Sequence, residues 1–335
     1  MVNVLDVAER ANVSSATVSR VLSGSTLVRA ETRAKVVAAA EALGYEPNSF
    51  ARNLRKGRGS SIALVTGDIE HGIYPRLAKH LQRELELINL NLVLFNLGHR
   101  QERLRHMLQH ATSMGLRGLF LASADIADMA SLKPLVDRAA GKGIAILSVS
   151  QRLEGFGIDS IVHDDLAGAG MAVEHLLARG RRAIAYLGRI SGSEVGRERS
   201  LGHEQALLRA GLPIDPVLVW DVREGFRSEA GYRMTSAALD RGLHVDAIVA
   251  ASDELASGAI AALLDHGLSV PGDVAVTGFG GISWGNYLRP ALSTIDLDVA
   301  ALAERARLWL EAHEAGEAHP ALVMIRPSLI VRSST

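Results

Sequence analysis

From Ser61 onward the chain alternates short, wholly apolar runs with longer stretches of helical periodicity, and the pattern runs through twice. Ile62-Ala63-Leu64-Val65, Leu92-Val93-Leu94-Phe95, Gly118-Leu119-Phe120-Leu121 and Ile144-Ala145-Ile146-Leu147 form the first set, separated by amphipathic stretches such as 77–87 and 104–110. Ala183-Ile184-Ala185-Tyr186-Leu187, Ala247-Ile248-Val249-Ala250 and Val274-Ala275-Val276-Thr277 form the second, with helical patterns over 166–178 and 254–265 between them. A strand that is apolar on both faces must be covered on both sides, and a helix between two such strands returns the chain for a right-handed, parallel crossover. The expected body is therefore two α/β lobes with parallel sheets flanking a cleft, and ligands bind such sheets at the carboxyl ends of their strands.

The first 58 residues follow a different rule. Val4, Val7, Ala8 and Ala11 fall at i, i+3, i+4 and i+7, one face of a first helix. Asn12 and Val13 interrupt it; Ser14 suits an N-cap, and Val18, Val21 and Leu22 are the apolar stripe of a second helix. The other face of that helix is Ser15, Ala16, Thr17, Ser19 and Arg20: small, polar and cationic, and placed at the end that enters the major groove in a helix-turn-helix. A third helix is expected over about 31–43, with Val36, Val37, Ala40 and Leu43 buried and Gly44 closing it in the left-handed conformation. Pro47 bars continuation, Asn48 can cap a new start, and residues 49–56 read as a short basic helix containing Ala51, Arg52, Leu54 and Arg55.

Charge is distributed accordingly. Residues 1–58 carry nine Lys or Arg against five acids, a net +4, although the whole chain is −1. A basic head on an acidic body presents one end to phosphates. With 335 residues, 48% hydrophobic and 22% charged, the chain reads as a multidomain globular protein; it shows no signal-like region and no run long enough to cross a membrane, which gives a cytoplasmic expectation. The absence of cysteine excludes disulfides and thiolate chemistry.

No constellation points to an enzyme. Gly278-Phe279-Gly280-Gly281 lacks the third glycine of a dinucleotide loop, His163-Asp164-Asp165 precedes a helical run and reads as a cap, and the other histidines lack zinc-ligand spacing. Neither a cofactor nor a metal is expected.

Asp6-Val7-Ala8, Val13-Ser14, Thr17-Val18-Ser19-Arg20-Val21, Thr32-Arg33, Leu43-Gly44-Tyr45, Pro47-Asn48, Ala51-Arg52 and Leu54 together resemble the lactose-repressor and purine-repressor family of bacterial transcription regulators, and the likeness continues along essentially the full length. It implies a three-helix helix-turn-helix domain over 1–46, a hinge helix and linker over 47–59, and a core over 60–335 built like periplasmic sugar-binding proteins. Lobe 1 would comprise about 60–160 and 291–320, and lobe 2 about 161–290 and 321–332. The likeness further implies a homodimer on a palindromic operator, a small-molecule effector in the cleft, base reading by Ser15, Ala16 and Arg20, and a minor-groove wedge at Leu54. Arginine can pair bidentately with guanine, and an apolar wedge kinks a duplex.

For the effector, the resemblance points to Arg199 in an Arg-x-x-Gly-aromatic-like segment, Phe226 as a stacking aromatic, Ile73 and Tyr74 lining the first lobe, and Ser252-Asp253 as a polar pair; each of the last five could equally be packing. Ser150 and Gly280 stand where many relatives carry aspartates. Losing two carboxylates while keeping Arg199, with Arg152 and Arg76 nearby, favours an anion, and the Gly-Phe-Gly run is similar to gluconate-responsive members. A sugar acid is thus the expected effector; a neutral sugar or nucleoside held by groups such as Asp253, Asn286 and Ser193 is the alternative.

Overall fold

The structure is a computed structural model that describes residues 2–22, 27–45, 59–125, 127–223 and 225–335. It separates into two compact units, residues 1–60 and 61–335.

In the first unit, α1 (Val4–Ala11) starts at a capping box in which Leu5 donates to Asn3 Oδ1 and Asn3 N–H to Asp6 Oδ2, each at 2.7 Å. Asn12 ends it in the left-handed conformation (φ 53°). Ser14 opens α2 (Ser15–Leu22) by accepting the Thr17 N–H at 3.2 Å. α3 (Ala30–Ala42) packs across both, and Gly44 follows in the left-handed region. Val7, Ala8, Ala11, Val18, Val21, Val36, Ala39 and Ala40 form the core. Val37 was expected inside but is 40% exposed; Ala39 takes its place, because a stripe of 36, 39, 40 and 43 keeps a better 3.6-residue period.

The second unit contains two six-stranded sheets. In the first lobe the chain runs β1 (Ser61–Thr66), α4 (Ile73–Leu87), β2 (Asn91–Asn96), α5 (Gln101–His110), β3 (Leu116–Leu121), α6 (Met129–Gly141), β4 (Ala145–Ser148) and β5 (Asp159–His163). The second lobe continues with α7 (Asp165–Ala178), β6 (Ile184–Gly188), α8 (Glu194–Arg209), β7 (Val219–Asp221), α9 (Ser228–Asp240), β8 (Ala247–Ala250), α10 (Asp253–Asp265), β9 (Ala275–Gly280) and β10 (Ser293–Asp296). Then α11 (Val299–Ala315) packs back on α4, β11 (Leu322–Ile325) joins the first sheet and β12 (Ser328–Ile330) joins the second. The sheet orders are β11-β5-β4-β3-β1-β2 and β12-β10-β9-β8-β6-β7, parallel throughout except β10 with β12.

Two expected lobe boundaries move. Residues 293–296 belong to the second sheet, not to lobe 1, and residues 322–325 belong to the first sheet, not to lobe 2. The crossings therefore fall near 164, 297 and 326. Ser293-Thr294-Ile295-Asp296 has one apolar aliphatic residue in four, so it carries no strand signal of its own; pairing with β9 creates it. The apolar run 92–95 does form β2, but as an edge strand with Val93 and Leu94 exposed.

Helix pairs of the second lobe close backbone to backbone on glycine. A Cβ on Gly202 of α8 would lie 2.2 Å from the Leu166 carbonyl oxygen, and one on Gly231 of α9 would lie 2.2 Å from that of Leu255. Gly141, at the end of α6, has open space around it. Gly231→Ala should consequently cost at least about 2 kcal/mol through overpacking. Gly141→Ala should be neutral or stabilising by about 0.5–1 kcal/mol, since it only removes chain entropy. Urea denaturation of the two variants beside the parent measures this contrast.

Candidate functional site

Two surfaces hold the residues singled out by sequence. On α2, Ala16, Ser19 and Arg20 are exposed while Ser15 and Thr17 are half-buried, and the Thr17 hydroxyl lies 2.9 Å from that of Ser14. The first turns of α2 thus offer a small polar surface beside a cation, the form that fits a major groove. Asn48, Ala51, Arg52, Leu54 and Arg55 lie outside the described residues.

The second surface is the cleft between the lobes of residues 61–335. A cavity of about 70 Å³ sits there, lined by Ile73, Tyr74, Ser150 and His163 from lobe 1 and by Asp165, Val195, Arg199, Phe226, Phe279 and Gly280 from lobe 2. A second cavity of about 40 Å³ shares its walls at His71, Tyr74, Ala124 and Phe226 and opens toward Asp125, Arg189 and Glu254. Both lie at the carboxyl ends of the strands, where helix N-termini and loops converge.

Arg199 is the centre of the site. Its Nε donates to Asp165 Oδ1 at 2.7 Å, Nη1 donates to the Ala251 carbonyl at 2.5 Å, and its guanidinium carbon lies 3.8 Å from the centre of the Phe279 ring. Both partners of the ion pair are more than nine-tenths buried. Burial pushes the Asp165 carboxyl up and the neighbouring guanidinium pulls it back. His163 stands opposite. Burial, then Arg199, pushes its pKa down to about 3, so the ring is neutral; it bonds to the Leu297 backbone, and Nε2 is buried without a partner among the described residues. Sequence had read His163-Asp164-Asp165 only as a cap. Asp164 does cap α7, accepting from Ala167 N–H at 3.0 Å, while the residues on either side of it face the cavity.

Ile73, Tyr74, Ser150, Arg199, Phe226 and Gly280 therefore meet at one cavity, and six other expected residues do not. Arg152 is exposed and pairs with Glu154 at 3.1 Å. Ser193 is buried as the N-cap of α8, accepting from Gly196 N–H. Ser252 caps α10 and donates to the Phe226 carbonyl at 3.0 Å. Asp253 is fully buried, accepts from Ile282 N–H and Thr294 Oγ1, and is pushed up to about 6 by burial. Arg76, expected to bring positive charge, donates to the carbonyl oxygens of Gly280 and Gly281 and lies 3.2 Å from Asp296. Asn286 is exposed.

The Gly-Phe-Gly-Gly run has a local cause. Gly280 and Gly281 have φ of 131° and 68°, and a Cβ on Gly281 would lie 2.2 Å from Asp296 Oδ1, as one on Gly278 would from Asp253 Oδ1. The glycines make room for two carboxylates that arrive from other elements. Arg76 of lobe 1 then holds Asp296 and the glycine carbonyls of lobe 2. Further links cross the cleft, among them Arg189 to Asp125 at 2.5 Å, Arg227 to Asp68 at 3.0 Å, and Gly72 N–H to Glu254 at 2.7 Å. Against the push of burial, Arg189 and His99 hold the Asp125 carboxyl below its usual range.

The buried pair predicts a stability effect that a simple ligand arginine would not have. Arg199→Ala should destabilise the 61–335 unit by about 3–5 kcal/mol, because Asp165 is left buried without a counter-charge. Arg199→Met with Asp165→Leu should recover most of that loss in a thermal or urea melt while still failing to bind ligand.

Acid should weaken the fold through buried histidines. His203, whose Nε2 donates to the Ile184 carbonyl at 3.1 Å, is pushed down to about 4 by burial. Its folded pKa lies below the unfolded value of about 6.5. The stability it confers is complete above pH 6.5 and drains away as pH falls toward 4, at about 1.4 kcal/mol per unit. His163 acts in the same sense down to about pH 3, and Asp253 in the opposite sense between about 6 and 3.8. His203→Gln should flatten the slope of unfolding free energy against pH by about one proton between pH 4.5 and 6.

Comparison with known proteins matches these two parts separately. Residues 3–48 match the model described as bacterial regulatory proteins, lacI family, and residues 173–335 match a periplasmic binding protein-like domain. The chain is 32% identical to the HTH-type transcriptional regulator AscG of Escherichia coli K12 over 91% of its own length and 89% of that protein. Among solved structures it is similar to the lac repressor dimer bound to operator and the anti-inducer ONPF, with a TM-score of 0.87, 27% identity, and coverage of 99% and 98% of the two chains. It is also similar to the regulator CelR in complex with cellobiose, with a TM-score of 0.73, 27% identity and full coverage of both.

Proposed function

The chain belongs to the lacI family of bacterial transcription regulators, DNA-binding proteins rather than enzymes, and on that premise we propose that it is a cytoplasmic repressor whose operator affinity is set by a neutral, hydroxyl-rich ligand, a sugar or nucleoside, held between the lobes. One observation carries the choice of ligand: the charged groups facing the cavity cancel. Arg199 already has Asp165, His163 is neutral, and Arg76 and Arg152 are committed to Asp296 and Glu154. The expectation of a sugar acid combined the missing aspartates at Ser150 and Gly280 and the Gly-Phe-Gly run with the charge of Arg199, Arg152 and Arg76; the pairing of all three arginines is what favours the neutral alternative. What remains along the cavity is the paired Arg199 and Asp165, the neutral His163, and apolar walls from Phe226, Ile73 and Val195. That set suits hydroxyl groups on a ring with apolar faces, and a bound neutral sugar also occurs in the CelR complex.

DNA is read from α2, with Arg20 as the guanine-pairing residue. The protein acts as a homodimer, as the lac repressor does on its operator, so that two heads read a palindrome. The exposed apolar edge strand β2, with Val93 and Leu94, supports that reading, because an unpaired apolar edge is a surface for a second chain. A ligand that touches both lobes favours one lobe arrangement over the other by its differential affinity, and residues 47–59 pass that difference to the heads.

The test is reciprocal. Calorimetry of the full chain with cellobiose, adenosine and gluconate, with and without a selected palindromic operator, should show a neutral ligand whose affinity changes about 5- to 150-fold with DNA, a coupling of about 1–3 kcal/mol. Arg20→Ala should weaken the operator by about 1–3 kcal/mol and relax one base position without altering ligand affinity in the free protein. Micromolar binding of gluconate with no neutral ligand would overturn the ligand class alone. A failure to select any preferred duplex would overturn the DNA reading.

A further inference from the structure

Asp159, His313 and His319 bring three potential ligand atoms within 4.8 Å of one another, at the end of the first sheet opposite the cleft. We propose that they form a binding site for a late first-row divalent cation such as zinc.

The elements that assemble the cluster are fixed by the fold. Asp159 begins β5. His313 lies in the last turn of α11, and Gly316, left-handed at φ 69°, turns the chain back on itself. β11 then pairs in parallel with β5, Leu322 beside Ser160, and Ser160 N–H donates to the Ala321 carbonyl at 2.8 Å. This register brings residue 319 against the start of β5. Trp309, one helical turn before His313, donates Nε1 to Asp159 Oδ2 at 2.8 Å and stacks on the His313 ring at 4.8 Å. A hydrogen bond to a carboxylate that also ligates a metal fixes its orientation, the usual outer support of such sites.

The donors are available. His313 is exposed. His319 Nδ1 lies 3.2 Å from Asp159 Oδ2 but is not aligned for a hydrogen bond, and this shielded atom has no other partner among the described residues. The negative end of α11 adds to the attraction for a cation. Two imidazoles and a carboxylate suit zinc, nickel or copper better than calcium or magnesium. Ligands at about 2.0–2.1 Å from a tetrahedral ion stand about 3.3 Å apart, so the set must close by up to about 1.5 Å, which rotation of the exposed His313 side chain supplies. Water completes the coordination. A bound ion would tie the end of α11 to the β5–β11 edge, next to the strand that leads into the last lobe crossing.

Titration of chelator-treated, full-length protein with zinc chloride in a calorimeter should show one saturable site per chain at micromolar affinity or tighter. His313→Gln and His319→Gln should each weaken it at least tenfold, whereas His106→Gln with His110→Gln, the other close histidine pair, should leave it unchanged. Nickel chloride should quench tryptophan emission in the parent and in His106→Gln, and lose most of that quench in Trp309→Phe and in His313→Gln. Absence of saturable zinc binding overturns the proposal, as does undiminished binding in His313→Gln. That variant changes an exposed side chain, so an unaltered melting temperature without metal shows that it is folded, and it decides the matter even if His319→Gln fails to fold.

Discussion

A guanidinium removed from water has to be answered by an opposite charge and by hydrogen bonds, and in the body of this regulator Arg199 imposes that demand. Asp165, the first residue of α7, lies directly after the first crossing between lobes, and the Ala251 carbonyl lies at the end of β8. Satisfying Arg199 therefore fixes the start of α7, the end of β8 and the face of Phe279 against one another. Asp165, Arg199 and Phe279 also line the cavity. Breaking the pair would strand a buried charge, so the ligand site and the stability of the lobe depend on one interaction.

The glycines after β9 solve a related problem. Asp253 and Asp296 reach the end of β9 from α10 and β10, and only a backbone without side chains leaves room for both. Their carboxylates are then consumed locally: Asp253 by Ile282 N–H and Thr294, Asp296 by Arg76 from the other lobe. Arg76, Arg189, Arg227 and Glu254 each make a polar contact across the cleft. These links are part-buried or exposed, so each holds the lobes together weakly enough for a ligand with a few kcal/mol of differential affinity to shift the balance. A site with cancelled charges and several weak clamps is suited to a switch rather than to catalysis.

The metal cluster shows why spacing in sequence is an incomplete guide to ligands. His313 and His319 are six residues apart with no zinc-like pattern, and their carboxylate partner is about 150 residues earlier. Only the parallel register of β5 and β11 joins them.

Much of this protein was written in short-range patterns. The heads of α1, α2 and α3, the left-handed Gly44, the caps at Ser14 and Asp164, and most strands came from apolar periodicity and local capping chemistry, which need only near neighbours. The family likeness added the cleft residues Ile73, Tyr74, Ser150, Arg199, Phe226 and Gly280. The sequence could not say where lobe 1 ends, because which sheet β10 and β11 join is set by their pairing with β9 and β5 and not by their own residues. Nor could it say that Arg152 points to Glu154, that Ser193, Ser252 and Asp253 are buried as caps and supports, or that His163 lines the cavity as a buried, neutral ring. Charge counted along a chain is blind to pairing, which depends on distance in space. Which charges are paired at the site was decided only by the tertiary structure.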